Sequence, residues 1–396
     1  MEAIDVKPHS DQKGWIDTTL GAACELVMGQ SPPSSEYNDA GQGLPFFQGK
    51  TEFGDMHPTP VKWCTAPTKR AIAGDVLLSV RAPVGPTNLA DQECCIGRGL
   101  SAVRPLNGTL SKYVLYYLRS IANDIDALGT GTTFKAVSGK VLRDVPFPLA
   151  PLPEQRRIVS AIETQLGRLD AAVARLHAAK AKLKRYKQAV LKAAYDEVAE
   201  IHEVKTFGEL KEFSMYGPRF SSDDYTADGV PVLRTSDIDD RGHVNMSTAP
   251  KLSLSKEQIA KYKLKLGDLL VTRTGSIGTV SVFNDSVDAI AGAFLIQYRL
   301  GGVDPWYAFH FLRGPVAQHH LIGNIAGIGR PNLNVAAIDS LELPVPPMKE
   351  QVSIRKTLEV KLNRIAELDA TLDAQLLQAT RLRQAVLKRA FEGRLV

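Results

Sequence analysis

Apolar residues recur at steps of three and four along two stretches of this chain. The first runs through Ile158, Ile162, Leu166, Leu169, Val173, Leu176, Leu183 and Val190. The second runs through Ile354, Leu358, Leu362, Ile365, Leu372, Leu376, Ala379 and Val386. That spacing predicts two amphipathic helices. Neither stretch has an internal proline, whereas Pro151 and Pro153 open the first and Pro346 and Pro347 the second. Glu154 and Glu350 then fall in the first turn, where the helix dipole favours negative charge. At ~1.5 Å per residue, some 40 residues make a rod of about 60 Å. A single rod with one apolar seam is not stable alone in water, so the two copies are expected to pair with each other. Lys180 and Lys187 fall near seam positions and predict imperfect packing there.

The two stretches are copies. Glu154-Gln155 with Ile158 returns as Glu350-Gln351 with Ile354, and Gln188 to Lys192 returns residue for residue as Gln384 to Lys388. The segments before them also echo each other. Gly74-Asp75 leads an apolar run to Arg81, and Gly267-Asp268 leads one to Arg273, a turn entering a buried strand in each case. On this alignment Arg81 and Arg273 occupy matching strand ends beside glycine turns. Leu44 to Phe47 and Val230 to Leu233 read as further strands, Tyr113 to Ile121 and Trp306 to Leu312 as short helices. Gly129 to Thr133 and Gly327 to Asn334 are glycine-bearing loops ahead of each proline-rich helix start. The expected order is globular unit over 1–150, helix over 151–197, globular unit over 198–345, helix over 346–396. The fold class is α+β (mixed α/β) with a pseudo-two-fold internal repeat.

Length and composition fit this layout: 396 residues imply two or three domains, and 44% hydrophobic content supports real cores. The net charge of +5 is unevenly spread. The helical stretches carry roughly +7 and +4, which leaves the remainder slightly acidic. Cys24, Cys64, Cys94 and Cys95 form no Cys-x-x-Cys pair and read as reduced thiols, and His319-His320 as surface or packing residues rather than ligands. No window holds the ~18 apolar residues that span a bilayer, and the polar start lacks the order of a secretory signal, so a cytoplasmic location is expected.

The junctions Phe147-Pro148-Leu149-Ala150-Pro151-Leu152-Pro153-Glu154-Gln155-Arg156-Arg157-Ile158 and Leu343-Pro344-Val345-Pro346-Pro347-Met348-Lys349-Glu350-Gln351 resemble those between target recognition domain and conserved helix in specificity subunits of Type I restriction-modification systems. Gly131-Thr132-Thr133-Phe134-Lys135 and the ending Lys388-Arg389-Ala390-Phe391-Glu392-Gly393-Arg394-Leu395 are similar too, and the resemblance covers essentially the whole chain. It departs where the first helix ends without a glycine and where the second loop lacks Thr-Thr-Phe. The resemblance implies two target recognition domains that read the halves of a bipartite double-stranded DNA target through the major groove. It implies helices paired as an antiparallel coiled coil that sets half-site separation and docks two modification (methyltransferase) subunits. Restriction (translocase/endonuclease) subunits would join them. No cofactor is expected on this chain; S-adenosylmethionine, ATP and Mg belong to the partners, and no membrane is involved.

Readout needs Arg, Lys, Asn, Ser and Thr on loops facing a groove. The candidates are Arg81, Arg98, Thr132, Thr133, Lys135 and Lys140 in the first unit. In the second they are Arg234, Arg241, Arg273, Ser276, Arg330, Asn332 and Asn334. On the helices, Glu154, Gln155, Gln188, Lys192, Glu350, Gln351, Gln384 and Lys388 are candidates for partner contact. Each has a plain alternative as a solvated or internally paired side chain. The run Lys180, Lys182, Lys184, Arg185 and Lys187 is either a solvated face, a dock for an acidic partner, or a cover over DNA between half-sites. An enzyme is disfavoured: no Asn/Asp-Pro-Pro-aromatic tetrapeptide and no phosphate-cradling Gly-x-x-x-x-Gly-Lys loop occurs. A pure coiled-coil scaffold, or an orphan or related bipartite specificity protein, is the alternative.

Overall fold

The computed structural model describes residues 14–131, 135–239, 241–325 and 331–395. The chain divides into two compact units, Met1–Leu176 with Ala374–Val396, and His177–Asp373. Each holds part of both long helices, which run Leu152–Ala199 and Met348–Phe391.

In the first unit an antiparallel sheet has the order Cys24–Met28, Leu100–Pro105, Val76–Ser79, Thr87–Leu89. Side chains alternate across its central strand. Val76 and Leu78 face a core with helix Ser111–Ser120, while Leu77 meets Phe47, Cys94 and Ile96 of a second sheet. That second sheet contains the parallel pair Leu44–Phe47 and Cys94–Ile96. A ribbon of Ile16–Thr19 with Pro146–Leu149 leads into the central helix.

The second unit repeats the plan. Its antiparallel sheet has the order Lys211–Tyr216, Leu295–Leu300, Leu269–Thr272, Val280–Val282, and helix Pro305–Leu312 packs in the core. Leu269 and Val271 face that core; Leu270 faces the cluster of Leu233, Ala291 and Leu295. Val230–Leu233 pairs parallel with Ile290–Ala291.

The Gly-Asp repeats build the same clamp twice. Gly74 (φ 91°) and Gly267 (φ 88°) take a left-handed turn that L side chains avoid. Each turns the following buried aspartate onto an arginine: Arg104 Nε and Nη2 donate to Asp75 at 3.0 and 2.9 Å, Arg299 Nε and Nη2 to Asp268 at 2.6 and 2.8 Å.

The long helices are seated by a second repeated device. Gln155 Oε1 accepts from the Leu110 backbone N–H at 2.9 Å, and its amide donates to Ala150 O at 2.8 Å. Gln351 does the same with the Asp304 N–H and Pro346 O, both at 2.8 Å. At the other helix ends Phe391 packs edge-on against Tyr113 and Tyr117, and Tyr195 edge-on against Phe311 and tilted against Tyr307.

Within each unit the helical segments run antiparallel. In the first, Arg383 pairs with Asp170 while Ile162, Leu166 and Leu387 share one core. In the second, Lys180 lies 3.3 Å from Asp369 and also pairs with Asp373, and further along Leu191 packs in the same core as Leu358. Seam residues under a globular domain are buried, as at Ile158, Ile162 and Leu358. Leu169, Val173, Leu176 and Leu183 are only half-buried, because two helices cannot enclose their own seam.

Candidate nucleic-acid interface

In the second unit, strand Leu269–Thr272 runs into a turn with Gly275 (φ 72°) and Gly278 (φ 83°). Thr272 Oγ1 locks it by accepting from the Thr279 N–H at 2.9 Å and donating to Ser276 O, which leaves Ser276 exposed at the tip. Arg273 follows the strand. Its Nε donates to Asn332 Oδ1 at 2.8 Å, and its guanidinium lies 4.3 Å from the centre of the Tyr216 ring. The Leu333 N–H donates to Arg273 O at 2.9 Å, and the Val335 N–H to the Tyr216 hydroxyl at 3.1 Å. Asn334 is exposed and caps helix Val335–Asp339 by accepting from the Ala337 N–H. Arg273, Ser276, Asn332 and Asn334 are thus gathered at one sheet end, while Arg330 lies outside the described residues.

Two other candidates in this unit stand apart from that group. Arg234 is bound by its own turn: Nε and Nη2 donate to buried Asp237 at 3.1 and 2.9 Å, and Nη2 also to Thr248 O. The short hydrogen bonds to Asp237 raise its pKa and hold it charged. Arg241 is exposed in the turn whose backbone N–H groups Asp239 accepts.

The first unit has a corresponding sheet end with different contents. The Gly85 N–H donates to Ser79 O and Gly278 to Thr272 O, both 3.0 Å. Val80 donates to Gly99 O as Arg273 does to Phe294 O, and Val137 donates to Val80 O as Leu333 does to Arg273 O. The backbone therefore matches Arg273 with buried Val80, not with Arg81, which is the next residue and exposed. Arg81 bridges to Ala136, and the Ala82 N–H donates to Lys135 O, so Arg81 and Lys135 share a loop. Lys135 also pairs with Asp126 at 2.7 Å. Arg98 is exposed on the turn next to Gly99, and Lys140 is exposed in helix Gly139–Arg143, capped by Ser138. Thr132 and Thr133 lie outside the described residues.

Sequence reasoning missed Tyr216 and Phe294. An aromatic residue in an alternating strand reads as core, yet Tyr216 sits at the strand's last position and Phe294 is 54% exposed beside Arg273.

On the helices, Gln155 and Gln351 are buried and spent on internal hydrogen bonds, which leaves neither free for a partner. Glu154 pairs with Arg157, Lys192 with Asp196, and Glu350 with His202 at 3.0 Å. Gln384 donates to Arg119 O at 3.2 Å. Gln188 is half-buried and Lys388 exposed. Burial, then the nearby Arg313 and Arg241, lowers the pKa of Lys187. In the second unit a groove of about 500 Å³ between helix segments is lined by Val190, Ala193, Ala194, Val198, Ile354 and Leu358.

Among the described residues no cluster of three His, Cys, Asp or Glu side chains is placed to hold a metal. All four cysteines are buried, and burial pushes the thiols of Cys24, Cys94 and Cys95 up to about 12. No helix among the described residues is long and apolar enough to cross a membrane.

Comparison with known proteins agrees with this duplicated architecture. The model of the Type I restriction modification DNA specificity domain matches twice, over residues 12–181 and 200–378. The chain is 24% identical over 418 residues to the Type I restriction enzyme EcoBI specificity subunit of Escherichia coli, covering 96% of this chain and 86% of that one. A 140-residue stretch is 45% identical to the type I restriction enzyme MjaX specificity subunit of Methanocaldococcus jannaschii, but spans only 35% of this chain and 33% of that one. In fold the chain is similar to a chain from a structure of the type I R-M system, with a TM-score of 0.76, 20% identity and coverage of 98% and 100%. It is also similar to the HsdS subunit from Thermoanaerobacter tengcongensis, with a TM-score of 0.56, 20% identity and coverage of 96% and 97%. With both halves matched by one family model, the chain belongs to the Type I restriction modification DNA specificity family, whose role is sequence-specific recognition of DNA.

Proposed function

We propose that this chain is a non-catalytic reader in which residues 1–150 and 198–345 form two recognition domains, one for each half of a split duplex target. The observation that carries this reading is the duplicated sheet end. Both units build the same strand, glycine turn and returning loop, yet fill them differently: Arg273, Ser276, Asn332 and Asn334 in one, Arg81, Arg98 and Lys135 in the other. Identical scaffolds with unlike polar contents suit two unlike half-sites. The paired helices act as the spacer, as any two-headed DNA protein requires. They dock two modification subunits, and restriction subunits join that assembly; S-adenosylmethionine, ATP and magnesium belong to those partners. The apolar groove of the second unit, with Tyr186 and Ile201 exposed beside it, supports docking there.

The slightly acidic globular parts bear on affinity. Duplex binding draws largely on phosphate neutralisation, so the modification subunits supply much of the clamp around DNA. The test is a domain exchange. Replacing residues 1–150 with those of another family member should change one half of the methylated motif and leave the other half intact. A change in both halves, or in neither, contradicts the assignment of one half to each domain.

A further inference from the structure

We infer that Arg273 reads a guanine in the half-site recognised by the second unit, with its guanidinium set in place by Tyr216 and Asn332. This rests on the reading of that unit as a DNA recognition domain. Three observations carry it.

The first is what holds Arg273. Three other half-buried arginines of this unit are tied to carboxylates, Arg234 to Asp237, Arg299 to Asp268, and Arg355 to Asp304 and Glu359, while Arg313 lies 5.0 Å from the centre of the Phe309 ring with the charge of Asp239 acting on it. Arg273 is held by neutral groups, the Asn332 amide oxygen and the Tyr216 ring, and among the described residues no carboxylate pairs with it. A half-buried cation without a counter-charge is costly, and its retention points to a ligand that supplies acceptors.

The second is the donor edge left over. Asn332 takes the Nε hydrogen and the Tyr216 face fixes the plane, so the free edge is the Nη1 and Nη2 fork. In the major groove guanine offers N7 and O6 as adjacent acceptors, which that fork matches. Adenine offers one acceptor and one donor, so an arginine hydrogen there would face the N6 amine. The support is itself braced, because the Tyr216 hydroxyl accepts from the Val335 N–H and Arg273 O accepts from Leu333. Pre-setting of this kind lowers the cost of a directional, bidentate contact, and salt dependence separates a base edge from a phosphate as its target.

The third is the contrast with the first unit. There the matching backbone position is Val80, and the strand end matching Tyr216, opposite Ser101 where Tyr216 is opposite Ile296, is Met28. The fold therefore stands without the arginine and tyrosine, and the device belongs to what the second unit reads.

The test uses the assembled chain and modification subunits with duplexes carrying each single base-pair change in the wild-type methylation motif. R273K and N332L are compared with wild type, and thermal melting checks folding. The expected result is that both variants lose discrimination at the same single G·C pair, by about 5- to 150-fold for R273K, with the other positions kept. N332L, which frees the guanidinium but keeps it, should lose less. If R273K and N332L leave discrimination at every position unchanged, the inference is overturned. It is also overturned if an R273A variant weakens all duplexes equally and flattens the salt dependence by about one ion, since that marks a phosphate contact. A wild-type complex with no split motif overturns the domain reading itself, a separate outcome from either of these.

Discussion

His310 gives the sharpest test of the internal repeat as a guide to energetics. It is 6% exposed on helix Pro305–Leu312, and neither ring nitrogen has a hydrogen-bond partner among the described residues. Burial, then the charges of Arg313, Arg355 and Lys187, lowers its pKa from 6.5 to about 4. Glu359 lies 4.0 Å away but is shared with Arg355, so its pull does not reverse the shift. The corresponding site in the first unit is Tyr116, whose hydroxyl lies 3.4 Å from Glu163. The perturbation is therefore His310→Tyr, with His310→Phe as a non-titrating control. A histidine whose folded pKa lies below its unfolded one binds a proton more readily when unfolded. Its contribution is intact above about pH 6.5 and is lost as pH falls towards 4. A gap of about 2.5 units corresponds to a ceiling of roughly 3 kcal/mol, at 1.36 kcal/mol per unit. Because a two-unit chain need not unfold in one step, the assay is hydrogen exchange of the 305–312 segment between pH 4.5 and 7.5, corrected for intrinsic rates. Carboxylates elsewhere titrate equally in all three proteins and cancel in the difference. Wild type should lose about 2–3 kcal/mol more protection than His310→Tyr over that range. Parallel curves for the three proteins would refute the reasoning.

Three more predictions follow from the geometry. Asp268→Ala strands half-buried Arg299 and should cost about 3 kcal/mol, read by urea-dependent hydrogen exchange in the second unit alone; Asp75→Ala should cost less in the first, because Arg104 keeps exposed Glu25 at 3.0 Å. Gln351→Leu removes the acceptor of the Asp304 N–H and the donor to Pro346 O and should cost about 1–3 kcal/mol in the second unit, with Gln155→Leu doing the same in the first. Ala193→Arg puts a charge into the exposed apolar groove; co-purification of modification subunits should fall at least tenfold (about 1.4 kcal/mol) while the melting temperature stays unchanged.

Much of the architecture is legible in the sequence because strong periodic signals and repeated local motifs coincide. The helices read from Ile158 to Val190 and from Ile354 to Val386 lie inside Leu152–Ala199 and Met348–Phe391, and the two Gly-Asp turns sit where the repeat places them. What fails is whatever depends on which groups the packed chain brings within hydrogen-bonding reach. Arg81 resembled Arg273 by residue type, but the hydrogen-bond register pairs Arg273 with Val80. Arg234 reads as a loop cation, whereas Asp237, three residues on, consumes its guanidinium. Gln155 and Gln351 read as candidates for partner contact; only the packed structure brings Leu110 and Asp304 within reach of their amides. Tyr216 is invisible as a site residue until Arg273 is seen stacked on it.

The central claim is that this chain supplies sequence specificity to a modification complex. Its most direct test is a genome-wide map of DNA methylation in a host expressing the cognate methyltransferase subunit with and without the chain. The account predicts a split motif that appears only when the chain is present. Methylation that is the same with and without it would contradict the account.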